Sequence, residues 1–184
     1  LEAFQLSELV LERNSWDSIP EIKSLEKVNG KVEIINNRFL NISALDDVSR
    51  VQGDISIQDC EALSKLPFLN NLDTVFGSLT IRNLDTLKSF SIPDVIQTDL
   101  VIQDNDILDT LDNLTDIGGS LFVENNSALA KIFEYSEMVE LDDFYLTRNP
   151  RLEKITGLDS LKRIFGELKI EENISLVDIL GLSQ

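Results

Sequence analysis

One pattern recurs about eight times along the chain, and it constrains the fold more than any other feature. The unit reads V-x-G-x-L-x-I-x-x-N-x-x-L-x-x-L, and its positions are numbered here from one at the first valine. Clear copies begin at Val28, Val51, Val75, Ile96, Ile117 and Ile164, and weaker copies at Gln5 and Glu140. Successive copies start 21 to 24 residues apart. A repeat of this length is typical of a solenoid with one coil per copy.

Positions five and seven of the unit are apolar in every copy, and the residue between them varies. Position five is occupied by Leu9, Val32, Ile55, Leu79, Leu100, Leu121, Phe144 and Leu168. Position seven is occupied by Leu11, Ile34, Ile57, Ile81, Ile102, Val123, Leu146 and Ile170. Such alternation predicts a strand with one buried face. Position thirteen is leucine in every copy but the first, at Leu40, Leu63, Leu87, Leu108, Leu129, Leu152 and Leu176, and we expect these leucines in the same core.

Position ten carries asparagine in most copies. The predicted ladder of stacked side chains consists of Asn14, Asn37, Cys60, Asn105, Asn126, Asn149 and Asn173, with Leu84 as a further exception to asparagine. Asparagine can donate to and accept from the main chain where each coil turns a corner. For Cys60 we predict a buried structural thiol, and a reactive or metal-binding thiol is the alternative. The glycines that recur at position three predict a tight turn that needs either positive φ or a close backbone approach.

These features predict a mainly β fold, a right-handed parallel β-helix or leucine-rich-repeat-like solenoid of about eight coils of 21–24 residues. Residues 1–184 form a single domain in this interpretation. By composition, residues 6–13 could form a short helix, but they also fit the repeat, and we predict a strand there. Because the sequence begins at Leu1 with no signal-peptide pattern, we expect a fragment of a longer chain that supplies a further repeat, a cap or an anchor.

The composition of the chain argues against several classes of function. The formal charge of −17 disfavours nucleic acid and anionic membranes as partners, and no apolar run predicts direct membrane insertion. The chain has no histidine, and its lone cysteine therefore lacks a catalytic partner. The carboxylate pairs Asp46/Asp47, Asp104/Asp106 and Asp142/Asp143 follow neither the loop spacing of an EF-hand nor the glycine-rich nonapeptide pattern of calcium β-rolls. We therefore predict no enzymatic activity, no metal and no cofactor.

The outward face of the predicted sheet is the candidate ligand-binding surface. Its members at unit positions six and eight are Arg82, Val101, Gln103, Phe122, Glu124, Tyr145 and Thr147. The apolar and aromatic members fall on consecutive coils about 5 Å apart, and polar residues flank them. This composition is typical of a contact surface for a protein or carbohydrate ligand. The alternative is that loops or another domain cover the stripe.

Four N-x-S/T sequons occur, which favours secretion. Asn41, Asn113 and Asn125 are the glycosylation candidates. Asn173 carries the fourth sequon, but it falls on the ladder, where we expect it to stay unmodified.

The segments GGSLFVENNSALAKI, DDFYLTRNPRLEKI and FGSLTIRNLDTLKSF resemble the receptor L-domain family. Domains of that family are leucine-rich-repeat-like β-helices in the ligand-binding ectodomains of insulin-type and EGF-type receptors, and fungal glycosylphosphatidylinositol-anchored cell-wall proteins carry similar repeats. Animal receptor L domains typically carry disulfides at their ends. Because one cysteine cannot form an intrachain disulfide, the resemblance points to a microbial or fungal surface protein.

The resemblance implies an extracellular or cell-surface location, with any anchor outside this segment. Our first hypothesis is a recognition or adhesion module that binds a protein or glycan through its sheet face. The second is a structural spacer or scaffold solenoid with no specific ligand. End-to-end or homotypic association is a further expectation, because solenoid ends expose unpaired edges and apolar core.

Overall fold

The structure, a computed structural model, describes residues 4–20, 22, 25–38, 40–111, 114, 116–132 and 136–179. Its dominant element is a parallel sheet of eight strands, called the main sheet below. The strands are Leu9–Glu12, Val32–Ile35, Ile55–Gln58, Leu79–Arg82, Leu100–Gln103, Leu121–Glu124, Phe144–Thr147 and Leu168–Glu171. Each strand pairs with those one coil before and after it in sequence, so eight strands enclose about seven turns. The predicted parallel β-solenoid is confirmed.

The second side of the solenoid carries shorter strands that precede the main-sheet strands. Six of them form one sheet: Phe4–Leu6, Leu25–Val28, Arg50–Val51, Thr74–Val75, Val95–Ile96 and Asp116–Ile117. Two more, Glu140–Leu141 and Arg163–Ile164, pair separately. The third side changes along the axis. It holds the 3-10 helices Ser43–Leu45 and Pro67–Asn71 first, and then a three-stranded sheet of Thr110–Leu111, Lys131–Ile132 and Lys154–Ile155.

The core lies between the three sides. Register places position five opposite position five and seven opposite seven; Leu100, for example, lies between Leu79 and Leu121. These side chains are buried in the central coils. The position-thirteen leucines are buried from Leu63 to Leu152. The prediction is wrong for Leu40, which is 59% exposed. Its coil takes two more residues to reach the core than the next coil does, so Ile42 is buried instead.

The predicted starts of the two weak copies are wrong by one residue. Leu6 lies opposite Val28, and Leu141 lies opposite Ile164, so these leucines occupy position one in place of Gln5 and Glu140. In both coils the corner between the second side and the main sheet is therefore one residue shorter. Neither coil has a glycine at position three, because that residue is missing.

The glycines of position three allow the main chains of neighbouring coils to approach closely, which is one of the two reasons predicted for them. A Cβ on Gly53 would lie 2.8 Å from the carbonyl carbon of Gly30, closer than real side chains come. Positive φ occurs instead at position nine of all eight coils. These residues are Arg13, Asn36, Asp59, Asn83, Asp104, Asn125, Arg148 and Glu172, with φ between 50° and 56°. Asparagine and aspartate tolerate this conformation best, and they fill five of the eight places.

A polar ladder that the repeat pattern did not predict runs along the corner before the main sheet, and it is called the corner ladder below. Its members at position four are Asp54, Ser78, Asp99, Ser120 and Asp143. Each side-chain oxygen accepts the main-chain N–H of position four in the next coil, at distances from 2.7 to 3.4 Å. The corner ladder thus joins neighbouring coils at the start of the main-sheet strands from Ile55–Gln58 to Leu168–Glu171, where the main chain leaves the second side.

Candidate ligand-binding face

The asparagines of position ten hold the other end of the main-sheet strands. Asn126 is fully buried, and its amide nitrogen donates to the carbonyl oxygens of Ile102 and Glu124 at 3.0 and 3.1 Å. Its side-chain oxygen accepts the main-chain N–H of Asn105 at 3.2 Å. Asn105 and Asn149 make equivalent contacts in their coils, and Asn37 pairs in the same way with Asn14. Main-chain groups that would otherwise be buried without partners are satisfied in this way.

Cys60 and Leu84 occupy adjacent places in this asparagine ladder. The Cys60 thiol is buried and donates to the carbonyl oxygen of Gln58 at 3.2 Å. Burial is the main cause that raises the pKa of the Cys60 thiol above its ordinary value. A raised pKa disfavours the thiolate, which is the reactive form. The surroundings of Cys60 are thus those of a structural thiol.

Three side chains at position six form the apolar centre of the outward face. Strand register places Phe122 between Val101 and Tyr145, and all three are half-buried. The rings of Phe122 and Tyr145 meet edge to face, with centroids 5.2 Å apart and planes at 84°. This is a favoured geometry for aromatic pairs. The pair therefore presents a preorganised apolar surface to the outside.

The hydroxyl of Tyr145 is fixed at the rim of this surface. It donates to Glu167 Oε2 at 2.6 Å, and the Lys169 ammonium lies 5.9 Å from the ring centroid. The hydrogen bond to Glu167 is the main cause that raises the pKa of Tyr145 to about 12, and desolvation and nearby carboxylates add to it. Tyr145 is therefore a neutral hydrogen-bonding group at any physiological pH.

Glu124 organises the polar residues of position eight. Gln103 Nε2 donates to Glu124 Oε1 at 2.8 Å, and Thr147 Oγ1 donates to Glu124 Oε2 at 3.0 Å. Thr147 is only 5% exposed, so its role in the face is to hold Glu124 and not to present contact surface. Arg82 lies farther along the same row, where its Nε donates to Asp104 Oδ2 at 3.1 Å. All seven predicted residues thus lie on one face, and hydrogen bonds join three of its four polar members, Gln103, Glu124 and Thr147.

Next to this face lies a row of polar side chains that the repeat pattern did not single out. Asn83 donates to Asp59 at 2.8 Å, and Asn125 donates to Asp104 at 2.6 Å. With Arg82 and Asp106 they line an open groove of about 350 Å³. The signal for them was present at position nine, where asparagine and aspartate alternate over consecutive coils.

The asparagines of the four sequons differ in how exposed they are in the structure. Asn41 and Asn125 are exposed, whereas Asn113 lies outside the described residues. Asn173 donates to the carbonyl oxygen of Leu146 at 2.7 Å and accepts the main-chain N–H of Asn149 at 2.9 Å, so its amide is occupied by the asparagine ladder.

Within the described part of the chain, no group of three or more carboxylate or thiol side chains is arranged to hold a metal ion. Over those same residues the structure contains no helix that is long and apolar enough to cross a membrane.

Comparison with known proteins supplies the family. No solved structure matches the chain. The model of the family described as "Receptor L domain" matches residues 26–129, which is more than half of the chain. The match covers the main-sheet strands from Val32–Ile35 to Leu121–Glu124 and most of the asparagine ladder. Domains of this family are non-enzymatic, ligand-binding modules of the receptor type that are typically extracellular. This chain belongs to the receptor L-domain family.

Proposed function

We propose that this domain is a non-catalytic recognition module of a cell surface or cell wall, and that it binds a protein ligand through the outward face of the main sheet. The observation that carries the proposal is the fixed Phe122–Tyr145 pair, half-buried and next to the polar cluster around Glu124. An aromatic centre with a polar rim is the usual anatomy of a protein interface. Receptor L domains bind protein ligands, which favours a protein over a glycan.

The absence of catalysis is part of the same proposal. The chain has no histidine to act as a general base near neutral pH. Its single thiol is buried, and its pKa is raised. A location at the cell surface, with attachment through regions outside this segment, is also proposed, and the exposed sequons at Asn41 and Asn125 support it.

A binding screen with a paired variant tests the sheet face. The purified domain is screened against a displayed library of secreted proteins and ectodomains and against a glycan array. The Phe122→Ala/Tyr145→Ala variant serves as the counter-screen. Two aromatic anchors at the centre of an interface typically carry several kcal/mol, so we expect binding of a protein ligand to weaken about 100-fold or more in this variant.

The control variant is Ser56→Ala/Thr80→Ala, which changes the same column of the sheet three and two coils before Phe122 and should leave binding intact. Thermal unfolding monitored by circular dichroism verifies that each variant folds. A protein ligand that binds both variants as tightly as the wild type contradicts the proposed face. A glycan that only the aromatic variant loses would keep the face and change the ligand class, and no ligand in either screen would favour the structural-spacer hypothesis.

A further inference from the structure

One corner before the main sheet carries an exposed side chain that can react with the main chain beside it. Asn29 and Gly30 form the only asparagine–glycine pair in the sequence, and they occupy positions two and three of their coil. The Asn29 side chain is exposed, and it makes no hydrogen bond within the described part of the chain. Its amide can therefore turn toward the peptide bond that follows it.

The main-chain nitrogen of Gly30 is the group that the Asn29 amide can reach. Glycine has no side chain to crowd this nitrogen, so a five-membered ring can close across it. At the same position of later coils, the N–H groups of Gly119 and Gly166 donate to the preceding coil at 3.0 and 2.7 Å. No oxygen among the described residues accepts the Gly30 N–H. The nitrogen of Gly30 is thus not held in place by a hydrogen bond.

The coil that carries this pair is weakly tied to the coil after it. Its ladder residue, Asn37, accepts the Asn14 N–H in the preceding coil at 2.9 Å. The following coil has Cys60 in the ladder, and the thiol lies 3.7 Å from the Ile34 carbonyl oxygen. The corner ladder begins only at Asp54, in that following coil. Weak coupling between neighbours lets a coil open locally, and such opening supplies the main-chain rotation that ring closure needs.

We propose that Asn29 is a site of spontaneous deamidation. The Gly30 nitrogen forms a bond to the side-chain carbonyl carbon of Asn29, and the bond from that carbon to the amide nitrogen breaks. The amide leaves as ammonia with the proton of the Gly30 N–H, and a succinimide ring remains. Water then opens the ring at either carbonyl and gives aspartate or isoaspartate. Water is the only co-reactant, and the site is independent of the ligand proposed for the main-sheet face.

Isoaspartate lengthens the main chain by one carbon at a corner where neighbouring coils are already in close contact. A Cβ on Gly30 would lie 2.6 Å from the carbonyl oxygen of Ser7, and a Cβ on Gly53 would lie 2.8 Å from the carbonyl carbon of Gly30. The next carbonyl along the chain, that of Lys31, accepts the Leu9 N–H at 2.9 Å. The longer main chain displaces this carbonyl and loosens the first strand of the main sheet, whereas aspartate keeps the original length.

Peptide mass spectrometry of the purified domain, incubated in mildly alkaline buffer, follows the conversion of each asparagine. Asn29 should convert about tenfold or more faster than Asn36 and Asn70, which are exposed but are followed by asparagine. In Asn29→Gln the reaction needs a less favourable six-membered ring, so conversion at this position should be about tenfold slower or more. Conversion of Asn29 at the rate of Asn36 or Asn70 would overturn the proposal.

Amide hydrogen exchange tests the effect on the neighbouring coil, after the isoaspartate form has been separated by chromatography. In that form the Leu9 N–H should exchange about tenfold or more faster than in the unmodified chain. The matched control is Asn29→Asp, which adds the same charge without lengthening the main chain and should exchange like the wild type. Unchanged exchange at Leu9 in the isoaspartate form, or equal acceleration in Asn29→Asp, would overturn the proposed loosening of the first strand.

Discussion

At the scale of single residues, the asparagines of position ten are special because one side chain both donates to and accepts from main-chain groups of stacked coils. Asn126 accepts the main-chain N–H of Asn105 and donates to the carbonyl oxygen of Ile102, both in the preceding coil, and it donates to the carbonyl oxygen of Glu124 in its own coil. The residue is fully buried, so each of these main-chain partners would be left without water if the side chain were lost. Such groups are costly to bury unsatisfied.

We expect Asn126→Ala to lower the free energy of unfolding by about 2–4 kcal/mol, because several buried donors and acceptors lose their partners together. Urea denaturation measures the change. Asn125→Gly is the neighbouring control, since Asn125 is exposed and has positive φ, and its side chain donates to Asp104 at the surface. A loss in Asn126→Ala no larger than in Asn125→Gly would mean that the ladder adds nothing to stability.

Asn41 and Asn173 carry the same type of sequon in opposite environments. After expression in a glycosylating secretory host, glycopeptide mass spectrometry should find a glycan on Asn41, which is exposed, and none on Asn173, whose amide serves the asparagine ladder. Asn41→Gln should remove that mass increment. An occupied Asn173 in the folded protein would contradict the hydrogen bonds assigned to it.

At the scale of the element, the corner ladder accounts for three of the five glycines at position three. A Cβ on Gly77, Gly119 or Gly166 would meet the carboxylate of the corner aspartate one coil earlier, at 2.5 Å for Gly119 and Asp99. Where the corner residue is a serine, the next coil has no glycine there. After Ser78 the residue is Thr98, and after Ser120 the corner is one residue shorter. Aspartate in one coil and glycine in the next are therefore a coupled pair.

A double-mutant cycle tests this coupling. Gly119→Ala alone should lower the free energy of unfolding by about 1–3 kcal/mol, because the new methyl group has no space beside Asp99. In the Asp99→Ser background, whose side chain is shorter, the same substitution should cost at least about 1 kcal/mol less. Equal costs in the two backgrounds, measured by urea denaturation, would show that Asp99 is not what excludes the methyl group.

The repeat predicted the main sheet and its register because burial of one face imposes the same apolar residues on every coil. It did not predict the corner ladder, since aspartate and serine satisfy the same N–H and no single residue type recurs. It also misplaced the start of the coil at Glu140, because a one-residue deletion at a corner leaves the apolar positions of the strand unchanged. The position of the proposed face followed from alternation alone. The hydrogen bonds that keep Thr147 buried could not be predicted in this way, because they depend on how the side chains of stacked coils meet in space.

At the scale of the whole molecule, the last described coil differs from the central ones. Its position-five residue, Leu168, is largely exposed, and Ile174 and Val177 are 84% and 82% exposed. Apolar groups of this size drive association when they are left in water. We propose that the isolated chain makes the homotypic contact expected from the sequence at this coil.

Analytical ultracentrifugation of the 184-residue chain should therefore show association that increases with concentration. Ile174→Asp/Val177→Asp should remove it, because charges are costly to bury in an apolar contact. Ile107→Asp, which alters an exposed apolar residue on a central coil, should not. A wild-type chain that stays monomeric at all concentrations would refute the contact.

Each junction between the first four coils has at most one of the two polar ladders, because the corner ladder begins at Asp54 and the asparagine ladder is interrupted at Cys60 and Leu84. Every later junction has both ladders. Coupling between neighbouring coils governs how a repeat array opens, so thermal fluctuations should divide the molecule near the fourth coil into two cooperative blocks. Amide hydrogen exchange would then proceed at two distinct rates, slower in the block held by Asn105, Asn126 and Asn149. A receptor domain built in this way can loosen one half while the other half, with Phe122 and Tyr145, keeps its shape.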